Sequence, residues 1–166
     1  MILKNYWLSF LIGTLVFSVG CSEKQHQKHL GEMAADPNLA DQNITKLVKV
    51  ENIQVAFDLM SMPYHKQMMK VMNAEMKHLE GATHGLMITV MDYETKKTIT
   101  GAKVNLTVIN PKGDKKSTET EIMSGAGMHH YAIHLKAIED GIYKIEAKIQ
   151  ISGKTYKART ELELKK

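Results

Sequence analysis

One cysteine in 166 residues, Cys21, leaves the chain no internal disulfide to brace it. A single arginine, Arg159, stands among 22 basic residues, and aromatic residues are only 6 % of the chain. Nucleic-acid surfaces lead with guanidinium forks and stacking rings, so this composition excludes such a partner. The sequence has no Gly-rich phosphate loop, no H-E-x-x-H and no nucleophile elbow, and its Asp and Glu are scattered over alternating positions. The expected role is binding rather than catalysis. The abundant entries are Met, with 12 residues, and His, with 8. Thioether and imidazole are soft to borderline metal ligands.

No apolar run is long enough to cross a bilayer. The uncharged stretch from Tyr6 to Gly20 falls short of the ~20 residues a spanning helix needs, but suits the apolar centre of an export signal. It ends in Phe17-Ser-Val-Gly-Cys21, small residues before a cysteine, which resembles the lipobox of bacterial lipoproteins. That resemblance implies cleavage before Cys21, diacylglycerol on its sulfur and a membrane partner through the lipid. Ser18 stands where that motif usually has Leu. Ser22, being other than Asp, implies an outer-membrane anchor facing the periplasm. Residues 1–20 are therefore expected to be a lipoprotein signal, and 21–46 a polar tether without sustained apolar period.

From Leu47 to Lys166 the pattern has period two. Ile53, Val55 and Phe57 alternate with polar or small residues; so do Leu86, Ile88 and Val90; Val104, Leu106 and Val108; Tyr131, Ile133 and Leu135; and Tyr143, Ile145 and Ile149. Asn110-Pro-Lys-Gly-Asp114 reads as a turn, and Thr118 to Met123 as a short edge strand. The expectation is an all-β, immunoglobulin-like antiparallel sandwich of about seven strands, with one short Met-rich helix after the first strand.

Glu139-Asp-Gly-Ile-Tyr143 resembles the tyrosine corner of immunoglobulin-like sandwiches, with Gly141 permitting the turn and Tyr143 carrying ring and hydroxyl inward. The order Gly85-Leu-Met-Ile-Thr-Val, Thr100-Gly-Ala-Lys-Val, Gly125-Ala-Gly-Met-His-His-Tyr and Asp140-Gly-Ile-Tyr resembles the YtkA-like family of small exported domains. The resemblance covers about residues 50–164. It implies the sandwich fold, and it suggests proximity to copper or heavy-metal handling and hence an extracytoplasmic metal-handling partner.

Between Met60 and Leu79 lies a helix-forming segment with Pro63 suited to its first turn, Ser61 placed as a cap and Gly81 as its end. His65, Met68, Met69, Met72 and Met76 fall on one helical stripe. Two readings stand side by side. A Met stripe can pack a core, since Met fills irregular gaps. It can also hold a soft ion such as Cu(I), because neutral thioethers survive where thiols oxidise. A second cluster is Met123 and Met128-His129-His130 with His134: Met128 and His130 share one face of a strand about 7 Å apart, His134 lies too far along the strand to join His130 on one ion, and His84 could face either cluster. The leading expectation is an envelope-bound domain that binds or hands on copper. The alternative is a structural or protein-interaction sandwich.

Overall fold

A computed structural model describes residues 43–73, 80–125 and 127–166. The expected signal, Cys21 and Met76 lie outside these residues. The described chain contains nine strands and one helix: β1 (Ile44–Val50), β2 (Ile53–Ser61), α1 (Met62–Met72), β3 (His84–Asp92), β4 (Lys103–Ile109), β5 (Lys115–Glu119), β6 (Glu121–Gly125), β7 (Met128–Leu135), β8 (Gly141–Ile151) and β9 (Lys154–Leu164). They form two antiparallel sheets, β1-β2-β3-β7-β6 and β5-β4-β8-β9. The fold is an all-β sandwich of immunoglobulin-like type, with nine strands rather than about seven. The helix follows the second strand.

The alternating residues make the core. Val55, Phe57, Leu86 and Ile88 of one sheet meet Leu106, Ile145, Ala147 and Ile149 of the other, all fully buried. Each Ile, Leu or Phe so buried contributes about 1.5–3 kcal/mol. Tyr131 bridges the layers. Its hydroxyl accepts from Ala102 N–H at 3.1 Å and donates to Thr100 C=O at 3.2 Å, which pins the segment entering β4.

Two strands differ from the sequence expectation. β1 begins at Ile44, before the expected start of the domain at Leu47, and pairs with β2 along its whole length. As an edge strand it needs little apolar surface: Ile44, Val48 and Val50 are partly buried, while Leu47 is exposed. The expected strand at Thr118–Met123 is two strands in different sheets. The chain changes layer at Thr120, whose hydroxyl donates to Val104 C=O at 2.8 Å.

At the corner, Tyr143 is buried; its hydroxyl donates to Glu139 C=O at 3.0 Å and accepts from Ile138 N–H at 3.2 Å. Gly141 has φ 145°, and a Cβ there would lie 2.9 Å from Pro111 Cγ of the β4–β5 turn. Both conditions require glycine.

Helix α1 has Pro63 in its first turn. Ser61 occupies the N-cap position, but its hydroxyl makes no capping bond, so the expected cap is backbone shape alone. The helix closes on Asn73, left-handed at φ 49°, with its N–H bonded to Lys70 and Met69 carbonyls, well before Gly81. Among the described residues no helix is long and apolar enough to cross a membrane.

Candidate functional site

In β2, β3 and β7 the residues not facing the core include Met60, Asp58, Gly85, Met87, Thr89, Met128, His130, Ala132 and His134. Register sets Met60 beside Gly85 and Gly85 beside His134, and in the next row Asp58 beside Met87 and Met87 beside Ala132. On β6, Met123 pairs with His130. Such an outer face is normally wet. Here α1 packs across it, and Met60, Met68, Met87, Met123 and Ala132 form a second buried apolar cluster with Tyr64, Met69 and Met128 at its margin.

The cluster is not closed. A cavity of about 390 Å³ opens beside it, with Met60, Met68, Met87, Met128 and His130 among its walls. Thr89 Oγ1 lies 2.8 Å from His130 Nδ1 and fixes the orientation of that ring. Asp58 is also on the wall and accepts from Thr45 Oγ1 at 2.6 Å. Burial pushes the Asp58 carboxyl above its usual range, partly opposed by that hydrogen bond. No three His, Cys, Asp or Glu side chains converge among the described residues. Four thioethers and two imidazoles, His130 and His129, whose Nδ1 lies 2.6 Å from Ser124 Oγ, around a cavity suit a soft ion, with Asp58 able to balance its charge.

The expected stripe divides. Met68 is buried and lines the cavity, Met69 packs at the cluster's margin, and Met72 is the last residue of α1. His65 is absent from the cavity wall. Its ring lies under the helix against Gly85, fully buried, with its centroid 5.0 Å from that of His134 in an edge-to-face pair. Neither ring nitrogen of His65 has a hydrogen-bond partner among the described residues. A buried polar atom left so costs about 1–3 kcal/mol. Burial, with His134 beside it, pushes the His65 imidazole down to about 4, so it is neutral at pH 7. Met128 and His130 share the cavity. His84 stands apart, 2.8 Å from Thr83 Oγ1, and burial lowers its pKa.

Sequence reasoning grouped Met123 with Met128 and His130 but missed Met60 and Met87 as site residues. Their signal was available: each is an apolar residue on the strand face that alternation assigns to water.

No protein-family model matches the chain, and no curated protein matches it in sequence. Solved structures do match in shape. FetP of uropathogenic Escherichia coli strain F11 is 15 % identical, with TM-score 0.56, covering 74 % of this chain and 95 % of that one. A copper-bound variant of FetP matches over the same shares at 15 % identity and TM-score 0.52. A DUF4426 family protein of Pseudomonas aeruginosa PAO1 is 10 % identical, with TM-score 0.58, covering 73 % and 94 %. At these identities the likeness shows the fold: this chain shares the two-sheet sandwich of those proteins.

Proposed function

We propose that the chain is an extracytoplasmic, lipid-anchored binding domain that takes a soft ion, Cu(I), in the cavity beside α1 and has no catalytic role of its own. The observation that carries this reading is the gathering of Met60, Met68, Met87 and Met128 with His130 around one cavity, from four separate elements. A packing requirement alone is met as well by Leu, whereas thioether sulfur prefers soft ions over hard ones. The copper-bound FetP variant supports the reading from a protein of the same fold. So does the YtkA-like resemblance of the segments around Gly85, Thr100, Gly125 and Asp140. Under reducing conditions the protein should bind Cu(I) much more tightly than Zn(II); tighter Zn(II) binding would refute the soft site.

The anchor belongs to the same proposal. Cys21 carries the lipid and holds the domain at the outer membrane, facing the periplasm, where an extracytoplasmic metal-handling protein is the natural partner for transfer. Cys21→Ser should block processing and lipid attachment. A processed Cys21→Ser protein that still partitions with membranes would contradict the anchor.

A second reading has its own observation. Met60 and Met87 are 3 % exposed and Met123 is 1 % exposed, as in a plain core that seats α1 on the sheet. On that reading the domain is a structural or interaction module and shows no preference for Cu(I).

A further inference from the structure

Among the described residues the four-stranded sheet ends on one side in β5. β5 pairs with β4 so that Lys116 lies beside Val108 and Thr118 beside Leu106. Cross-strand neighbours share a face of the sheet, and Leu106 is fully buried in the core. The inward row of β5 therefore carries an ammonium group and a hydroxyl where β4 carries apolar side chains. Between β5 and β7 lies a cavity of about 200 Å³. Ile133, Leu135, Ile138 and Tyr143 give it apolar walls, and Ile138 among them is 48 % exposed. Lys115, Lys116 and Lys136, all exposed, line it too, against one acidic wall residue, Asp114, whose carboxylate accepts from Asn110 Nδ2 at 2.9 Å. Glu119, at the far end of β5, lines a different cavity.

From this arrangement we infer an interaction surface: β5 takes an extended acidic segment of a partner protein as an added strand, which closes over the cavity between β5 and β7. The surface involves neither the thioether cavity nor a bound ion. An edge strand offers a row of main-chain donors and acceptors, and a guest strand completes the ladder there. The five residues of β5 span roughly 17 Å, enough to pair a guest of equal length.

Charge and shape together choose the guest. Lysine on an edge strand deters pairing with an apolar or basic strand, and it attracts carboxylates. In an antiparallel guest the residues opposite Lys115 and Lys116 are acidic, because opposite charges directly across a ladder attract. The residue opposite Thr118 points inward, as Lys116 does, and meets the apolar walls of the cavity; an aliphatic side chain suits it. Read along the guest, the recognised pattern is aliphatic, any residue, acidic, acidic.

The test uses the full chain in detergent and a dye-labelled, end-capped peptide, Thr-Val-Thr-Glu-Glu-Thr. Fluorescence anisotropy should show saturable binding that weakens as salt is added. With peptide bound, the amide hydrogens of β5 should exchange more slowly, while those of β9, the opposite edge of the same sheet, should not change. Lys116→Glu alters an exposed position and should melt like wild type, but bind the peptide about tenfold more weakly or worse. Peptides with lysine in place of both glutamates, or proline in place of the central threonine, should bind as poorly. No binding at millimolar peptide, or equal binding by Lys116→Glu, would overturn the surface. Equal binding of the proline peptide would mean attraction of charge without an added strand, and would overturn it too. A dimer of wild type that protects β5 without peptide would overturn the acidic guest and give the edge to a second copy of the chain.

Discussion

The imidazole of His65 rests on the backbone of Gly85, and no other residue at position 85 leaves it room. This contact fixes how α1 sits on the five-stranded sheet, because it seats a fully buried helix side chain on the strand beneath. Gly85→Ala should destabilise the domain by about 1–3 kcal/mol, since the neighbour to be displaced is a whole ring rather than the tip of a flexible chain. His65→Ala removes that ring. In a double-mutant cycle the Gly85→Ala cost should shrink in the His65→Ala background. Strictly additive losses in chemical denaturation would show that the two residues do not touch in solution.

The same ring makes stability depend on pH. Its folded pKa, about 4, lies below the ordinary 6.5, so the unfolded chain takes up the proton first. The contribution of neutral His65 is complete above about pH 6.5. It is lost as pH falls toward 4, by up to about 3 kcal/mol in all. His134 is a titratable neighbour facing it among the described residues, and it helps to lower the His65 pKa. Denaturant midpoints of the apo protein between pH 7 and pH 4 should fall steeply in wild type and less in His65→Phe. Parallel profiles would remove His65 as the cause.

Much of this sandwich is legible in the sequence because inner faces must alternate. Val55 and Phe57, Leu86 and Ile88, and Ile145 and Ile149 mark three strands without help from the structure. β1 is hidden because Lys46 interrupts its inner row of Ile44, Val48 and Val50 while the apolar Leu47 faces outward, so no clean alternation shows. The break between β5 and β6 is hidden because one residue, Thr120, turns the chain between layers. Helical spacing makes the His65–Met68–Met69 stripe legible, but not what it faces. That depends on where α1 lands, a tertiary fact. The landing separates His65 from Met68, and it makes dry the outward positions of Met60, Met87 and Met123 that strand alternation assigns to solvent.

Tyr143 offers a separate check on the fold. Its hydroxyl serves two backbone groups at the corner while its ring is buried between the sheets. Tyr143→Phe should cost on the order of 1 kcal/mol through the lost hydrogen bonds. Tyr143→Ala should cost about 3–5 kcal/mol as a core truncation. Wild-type melting in both variants would mean that the corner does not hold the start of β8.

The central claim is that sulfur in the cavity beside α1 binds copper, and one measurement addresses it most directly. Met68 and Met87 are replaced together by Leu, which nearly preserves volume and should cost less than about 1.5 kcal/mol per site. Wild type and variant are then titrated with Cu(I) against a competing chelator. The account predicts that the variant folds with nearly the wild-type melting temperature and loses the sulfur-bound equivalent of copper. Equal stoichiometry and equal affinity in the two proteins would contradict it and leave these methionines as the packing between helix and sheet.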